Sequence, residues 1–78
     1  MDKYRIILAD DDALFRLGFE ELISTQPEYK IINTFRDGGS LWNFLDSIDC
    51  DLLVLDINMP GKSGIQILEK IKSIKPEI

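Results

Sequence analysis

Carboxylate side chains follow two apolar segments of the chain, at the points where buried strands would end. The acidic run Asp10–Asp12 comes directly after the apolar residues 6–9, and Asp56 closes the apolar residues 52–55. If these segments form neighbouring parallel strands, their carboxyl ends lie at one edge of a sheet. Asp10, Asp11 and Asp56 would then lie close together, although 45 residues separate Asp11 from Asp56.

Several carboxylates crowded at one place repel one another unless a cation compensates their charge or some of them take up protons. Mg²⁺ is the natural occupant because it prefers hard oxygen ligands and commonly binds one or two carboxylates, waters and a phosphate oxygen. A carboxylate beside such an ion can act as a nucleophile toward a phosphoryl donor and form an acyl phosphate. Asp56 suits this role because it ends a strand and faces the loop of residues 57–61.

Length and composition limit what else the chain can be. With 78 residues, 45% of them hydrophobic and 29% charged, it is expected to form one globular domain over residues 1–78 with little reserve of stability. The net charge of -5 argues against binding of nucleic acid or of an anionic membrane by this segment.

The cysteine content and the hydropathy of the chain indicate the cellular compartment in which it is expected. The lone Cys50 excludes an internal disulfide, and the chain contains no histidine, the commonest transition-metal ligand. Neither a signal peptide nor an apolar run near the roughly 18–20 residues of a membrane span is found. We therefore expect a cytoplasmic protein.

The hydrophobic period alternates between that of strands and that of helices. Strands are predicted at residues 4–9, 29–35 and 51–55, a helix at about 12–25, and a turn at residues 37–39. Asp12 is placed to cap the first helix, and Ser63 and Gln66 have the spacing of a capping box. The predicted buried stripes of the three helices contain mainly large apolar residues: Leu14, Phe15, Gly18, Phe19, Leu22 and Ile23; Leu41, Phe44, Leu45 and Ile48; Ile67, Leu68, Ile71 and Ile74.

Three successive strand–helix units predict an α/β fold with a parallel sheet and helices on both faces. Strands one and three would be neighbours, with strand two outside strand one, which gives the order 2-1-3.

Two segments carry a family resemblance. ILADDDALFR (residues 7–16) and LVLDINMPGKSG (residues 53–64) resemble the receiver domain of bacterial two-component response regulators, whose fold is flavodoxin-like, also called CheY-like. The resemblance implies that Asp56 accepts a phosphoryl group from a sensor histidine kinase. It also implies that Asp11 and Asp56 bind Mg²⁺ directly, that Asn58 adds its backbone carbonyl, and that Asp10 acts mostly through water.

The start of the first helix, from Leu14 to Gly18, is similar to receivers that precede a LuxR-type helix-turn-helix domain. This similarity implies control of transcription through a DNA-binding output in the full-length protein. Complete receivers have five strands in the order 2-1-3-4-5. The resemblance makes residues 1–78 the N-terminal part of a receiver domain, from strand one to helix three, so the family's Ser or Thr after strand four and Lys after strand five have no counterpart among them. Lys62 is not expected to take the role of that Lys, because it follows a different strand.

Two functions remain open on these residues, and a third is a distant alternative. The first is a phosphorylatable signalling module that is not itself an enzyme. The second is a truncated or engineered receiver fragment that keeps the metal site without a working switch. The third, a metal-dependent phosphatase with an aspartyl nucleophile, is disfavoured because Asp56-Ile57-Asn58 lacks the second Asp of a D-x-D motif.

The third strand is expected to have an unpaired edge in a chain of this length. Such an apolar edge invites pairing with another chain, so a homodimer or oligomer through strand three, or else a partly unfolded monomer, is expected. Trp42 lies beside the predicted stripe of helix two and is expected to take part in packing rather than in recognition.

Overall fold

The computed structural model describes residues 3–78 of the chain. Three strands alternate with three α-helices, and a short 3₁₀ turn at Leu45–Ser47 follows the second helix. The strands are β1 (Tyr4–Ala9), β2 (Tyr29–Phe35) and β3 (Leu52–Leu55). The helices are α1 (Ala13–Ser24), α2 (Gly38–Phe44) and α3 (Gly64–Ile74). None of these helices is long and apolar enough to cross a membrane.

The strands form one parallel sheet in the order β2-β1-β3, which confirms the predicted topology. Ala9, the last residue of β1, is in register with Phe35 on one side and with Leu55 on the other. A register shift between Ile6 and Ile7 makes this alignment with β2 possible. All three strands therefore end at the same level, and the residues that follow them share one edge of the sheet.

One face of the sheet carries the main core. Ile7 and Ala9 of β1 pack with buried apolar residues that come from α2, the 3₁₀ turn, the loop after it, the loop before α3, and α3: Leu41, Leu45, Ile48, Cys50, Met59, Ile67 and Ile71. Met59 is the one member of this cluster that lies in the loop between β3 and α3. The core thus extends to the edge where the acidic residues lie.

Helix α1 lies on the opposite face and is the least buried helix. Phe19 and Ile23 are half-buried, but Leu14, Phe15 and Leu22 are 77%, 47% and 58% exposed, and Gly18 is exposed as well, so the predicted buried stripe is wrong at these four positions. The prediction is also wrong on the other face for Leu68 and Ile74 of α3, which are 45% and 38% exposed. Helices α1 and α3 are thus covered along only part of their apolar stripes, whereas the stripe predicted for helix two is buried or half-buried throughout: Leu41, Phe44, Leu45 and Ile48.

The predicted helix starts are confirmed at two of the three helices. The Asp12 carboxylate accepts hydrogen bonds from the backbone N–H groups of Leu14 and Phe15, and Ser63 and Gln66 form a reciprocal capping box. Residues 37–39, predicted as a turn, instead begin α2. Asp37 is the cap, its carboxylate accepts from the N–H of Ser40, and both glycines are helical.

Candidate functional site

Three carboxylates come together at the carboxyl edge of the sheet. Asp10 follows β1, Asp56 follows β3, and one oxygen of each lies with an oxygen of Asp11 in a group whose members are all within 4.8 Å of one another. Backbone hydrogen bonds continue the sheet to this point. The N–H of Asp56 donates to the carbonyl of Ala9 at 2.8 Å, and the N–H of Asp10 donates to that of Phe35 at 3.0 Å. The rigid ends of two strands therefore position the group.

Asp10 is held from two directions. Its Oδ1 accepts a hydrogen bond from the N–H of Asp12 at 2.8 Å, and its carbonyl accepts one from Nη1 of Arg16 at 2.7 Å. Arg16 thereby ties the first turns of α1 to the end of β1. This contact was missed from the sequence, where the only signal was a basic residue shortly after the acidic run.

Asp11 is exposed, and within residues 3–78 its side chain makes none of the hydrogen bonds observed. Asp56 is half-buried, and its Oδ1 accepts a hydrogen bond from the N–H of Asn58 at 3.1 Å. One carboxylate of the group is thus free toward solvent, while the other two are oriented by neighbouring backbone.

The loop of residues 57–63, which we call the acceptor loop, joins Asp56 to α3. Gly61 adopts a φ of +83°, a conformation that favours glycine, and Met59 anchors the loop in the core. Asn58 is exposed at the start of this loop, two residues after Asp56. Its proposed role as a carbonyl ligand stays a prediction.

Lys62 lies in the acceptor loop with its ammonium over the ring of Trp42, 4.5 Å from the ring centroid. Lys70 of α3 also lies over this ring, at 4.3 Å. Within residues 3–78 Lys62 forms no salt bridge with the carboxylates of the site. Half-buried Trp42 therefore packs against the acceptor loop and α3, and its fluorescence should report movement of that loop.

The opposite edge of the sheet carries a second group of charges with a structural role. Arg5 pairs with Asp49 at 3.1 Å and with Asp51 at 3.4 Å, and its backbone N–H donates to Asp51 at 2.7 Å. These hydrogen bonds lower the pKa of both carboxyl groups below the ordinary value of 3.8. The guanidinium of Arg5 thus compensates the charge of these two carboxylates. Within the described residues, no basic side chain pairs with the carboxylates of the site: Asp10, Asp11 and Asp56.

The donor set fits a hard divalent cation. Three carboxylate oxygens, separated by no more than 4.8 Å and without a paired basic side chain, are the ligands that Mg²⁺ prefers. The carboxylates also sit outside the carboxyl ends of adjacent strands β1 and β3, where parallel α/β sheets bind their ligands. Fold and site together define a flavodoxin-like domain with a cluster of acidic side chains at the carboxyl edge of its sheet.

Comparison with known proteins agrees with this class. The chain belongs to the response regulator receiver domain family, whose model matches residues 6–78. It is 36% identical over 67 residues to the nitrate/nitrite response regulator protein NarL of Escherichia coli strain K12, a match that covers 86% of this chain and 31% of NarL. The chain thus spans about a third of that relative's length.

Solved structures show the same similarity. The RcsB response regulator of Salmonella typhimurium, whose structures concern DNA interaction, superimposes with a TM-score of 0.87 at 27% identity and covers all of this chain and 39% of RcsB. A LuxR-family two-component response regulator from Aurantimonas sp. SI85-9A1 gives a TM-score of 0.82 at 28% identity and covers 96% of this chain and 54% of that one. The resemblance inferred from residues 7–16 and 53–64 is confirmed at the level of the family.

Proposed function

We propose that the chain is a phosphoacceptor module of a two-component system, in which Asp56 receives a phosphoryl group from the phosphohistidine of a sensor kinase. The observation that carries this proposal is the convergence of Asp10, Asp11 and Asp56 within 4.8 Å at one edge of the sheet. Asp10, Asp11, Asp56 and the Asn58 carbonyl are the proposed ligands of Mg²⁺. Bound there, the ion would neutralise charge on the phosphoryl oxygens.

The chemistry assigned to Asp56 is a displacement at phosphorus. A carboxylate oxygen forms a bond to phosphorus, the phosphorus–nitrogen bond of the donor breaks, and its electron pair stays on the imidazole nitrogen, which takes up a proton. Oδ1 of Asp56 already accepts a hydrogen bond from the N–H of Asn58. This bond orients the carboxylate and leaves Oδ2 as the attacking atom.

The other two carboxylates have different proposed roles in binding Mg²⁺. Asp11 is exposed and unconstrained by hydrogen bonds within the described residues, so it can turn toward an incoming ion and serve as a direct ligand. Oδ1 of Asp10 is engaged by the N–H of Asp12, so Asp10 is suited to a contact through water.

The proposal extends to the biological setting through the family. We place the module in the cytoplasm, with control of transcription through a separate DNA-binding output, and assign no enzymatic turnover and no nucleic-acid binding to this segment. Its acidic balance, net charge -5, supports the last assignment.

Incubation with acetyl phosphate and Mg²⁺, followed by intact-mass measurement, tests the acceptor. The chain should gain one phosphoryl group in a Mg²⁺-dependent manner, and Asp56→Asn should abolish the gain. Asp12→Asn is the matched control, because asparagine caps a helix about as well as aspartate and Asp12 serves α1 as its cap. Equal labelling of Asp56→Asn and the natural chain would sink the acceptor assignment.

A further inference from the structure

The acceptor loop rests on the first turn of α2, an element that contributes none of the predicted ligands. The N–H of Gly38, the first residue of α2, donates to the carbonyl of Pro60 at 2.8 Å. This N–H is one of the donors that a helix start leaves without an intrahelical partner, and here the loop satisfies it. Gly38 itself is buried.

There is no space for a side chain at this contact. A Cβ placed on Gly38 would overlap the carbonyl oxygen of Lys62 and lie 2.7 Å from its carbonyl carbon and 2.9 Å from its nitrogen. All three atoms are backbone, so relief requires the loop itself to move. The adjacent Gly39 differs, because a Cβ there would meet only Oδ1 of Asp37 at 3.5 Å, an ordinary contact.

The other end of the loop is fixed in the same way by α3. The N–H of Gly64 donates to the carbonyl of Ile57 at 3.0 Å, and a Cβ on Gly64 would lie 2.8 Å from the carbonyl oxygen of Asp56. The first residues of two helices thus hold the loop at Ile57 and at Pro60. Asn58 lies between these two points.

From this geometry we infer that Gly38 is a positioning residue for the metal site: its lack of a side chain lets the acceptor loop dock on α2 and places the Asn58 carbonyl toward the ion. The inference rests on the proposed function. Gly38 is not among the proposed ligands, so its effect would act through the backbone of residues 58–62.

Gly38→Ala and Gly39→Ala form a matched pair. Both remove a glycine from the same helix turn and gain the same helix propensity, so a difference between them isolates the contact with the loop. We expect Gly38→Ala to bind Mg²⁺ about tenfold or more weakly, the usual effect of disturbing a group that orients a ligand, while Gly39→Ala binds like the natural chain.

The measurement is a Mg²⁺ titration followed by backbone amide NMR shifts, with urea unfolding of each variant alongside. If Gly38 has a purely structural role, Gly38→Ala should lower the urea midpoint and leave the Mg²⁺ affinity of the folded protein unchanged. In Gly38→Ala the amide of Asn58 should also shift before Mg²⁺ is added. Equal affinities for the two alanine variants would overturn the inference while leaving the metal site in place.

A measurement on the natural chain covers the case in which Gly38→Ala fails to fold. Saturation with Mg²⁺ should shift the Gly38 amide together with those of Asp11, Asp56 and Asn58, because Gly38 is bonded to the loop that carries the proposed ligand. Shifts at Asp11 and Asp56 with none at Gly38 would refute the positioning role. Failure of the natural chain to show any saturable shift would overturn the magnesium proposal and this inference with it.

Discussion

Replacing Asp11 by asparagine should stabilise the protein without Mg²⁺ and remove its stabilisation by Mg²⁺. The Asp11 carboxylate has an oxygen within 4.8 Å of oxygens of both Asp10 and Asp56, and it makes none of the hydrogen bonds observed within residues 3–78. Asp11→Asn therefore removes repulsion and costs no contact of the folded state.

The magnitude follows from the geometry. Two unit charges 4.8 Å apart repel by about 0.9 kcal/mol in water, and a Debye length of about 8 Å at physiological ionic strength lowers this to about 0.5 kcal/mol. With two neighbouring carboxylates, Asp11→Asn should gain about 1 kcal/mol. For a domain of this size the thermal midpoint should rise by about 4–8 °C.

With Mg²⁺ bound, the natural chain should be more stable than Asp11→Asn, the reverse of the order without Mg²⁺. At a concentration tenfold above its Kd, a ligand that binds only the folded state stabilises it by about 1.4 kcal/mol. The natural chain should gain this amount, whereas Asp11→Asn should gain little because it has lost a direct ligand.

Circular-dichroism melts in EDTA and in Mg²⁺ measure both effects. Asp46→Asn is the control, because it changes the net charge equally at an exposed residue outside the group of three carboxylates. If Asp11→Asn melts no higher in EDTA than Asp46→Asn does, the carboxylates do not repel one another appreciably and the argument for a charge-compensating cation fails.

Three further predictions concern stability and assembly. Ile67→Ala, at a fully buried position, should lower the free energy of unfolding, measured in urea, by about 2–5 kcal/mol out of an expected total of about 4–12 kcal/mol. Leu68→Ala, at a residue 45% exposed, should lower it clearly less. Stability should fall as the pH drops below 3.8, because the carboxyl groups of Asp49 and Asp51 have lower pKa values in the folded chain than in the unfolded one. Their contribution to the free energy of unfolding is complete at pH values above the pKa of the unfolded chain and is lost as the pH falls through the pKa of the folded chain. Arg5→Ala removes the partner of both carboxylates and should therefore flatten this part of the plot of stability against pH. Within residues 3–78 β3 pairs with β1 alone, so a protein of these 78 residues should dimerise or oligomerise through the outer edge of β3, or else be partly unfolded as a monomer. Sedimentation at micromolar concentration together with circular dichroism checks this, and a well-folded monomer that unfolds cooperatively would contradict it.

The sequence by itself determined the order and type of the elements, the sheet topology and the edge at which the acids lie. Each of these depends on local patterns. A continuous apolar run marks β1 as a strand covered on both faces, Asp12 and the Ser63–Gln66 pair mark helix starts, and parallel strands bring the residues that follow them to one edge. The convergence of Asp10, Asp11 and Asp56 follows from these rules alone.

Tertiary structure decided which apolar residues are covered and how the acceptor loop is held. Leu14 and Leu68 fit the helical period, but exposure depends on what packs above a residue, and neither helix is covered along its full stripe. Gly38 and Gly39 look alike in the sequence. Only the approach of the Lys62 carbonyl distinguishes them, because a contact between two segments 24 residues apart leaves no periodic signal in either segment.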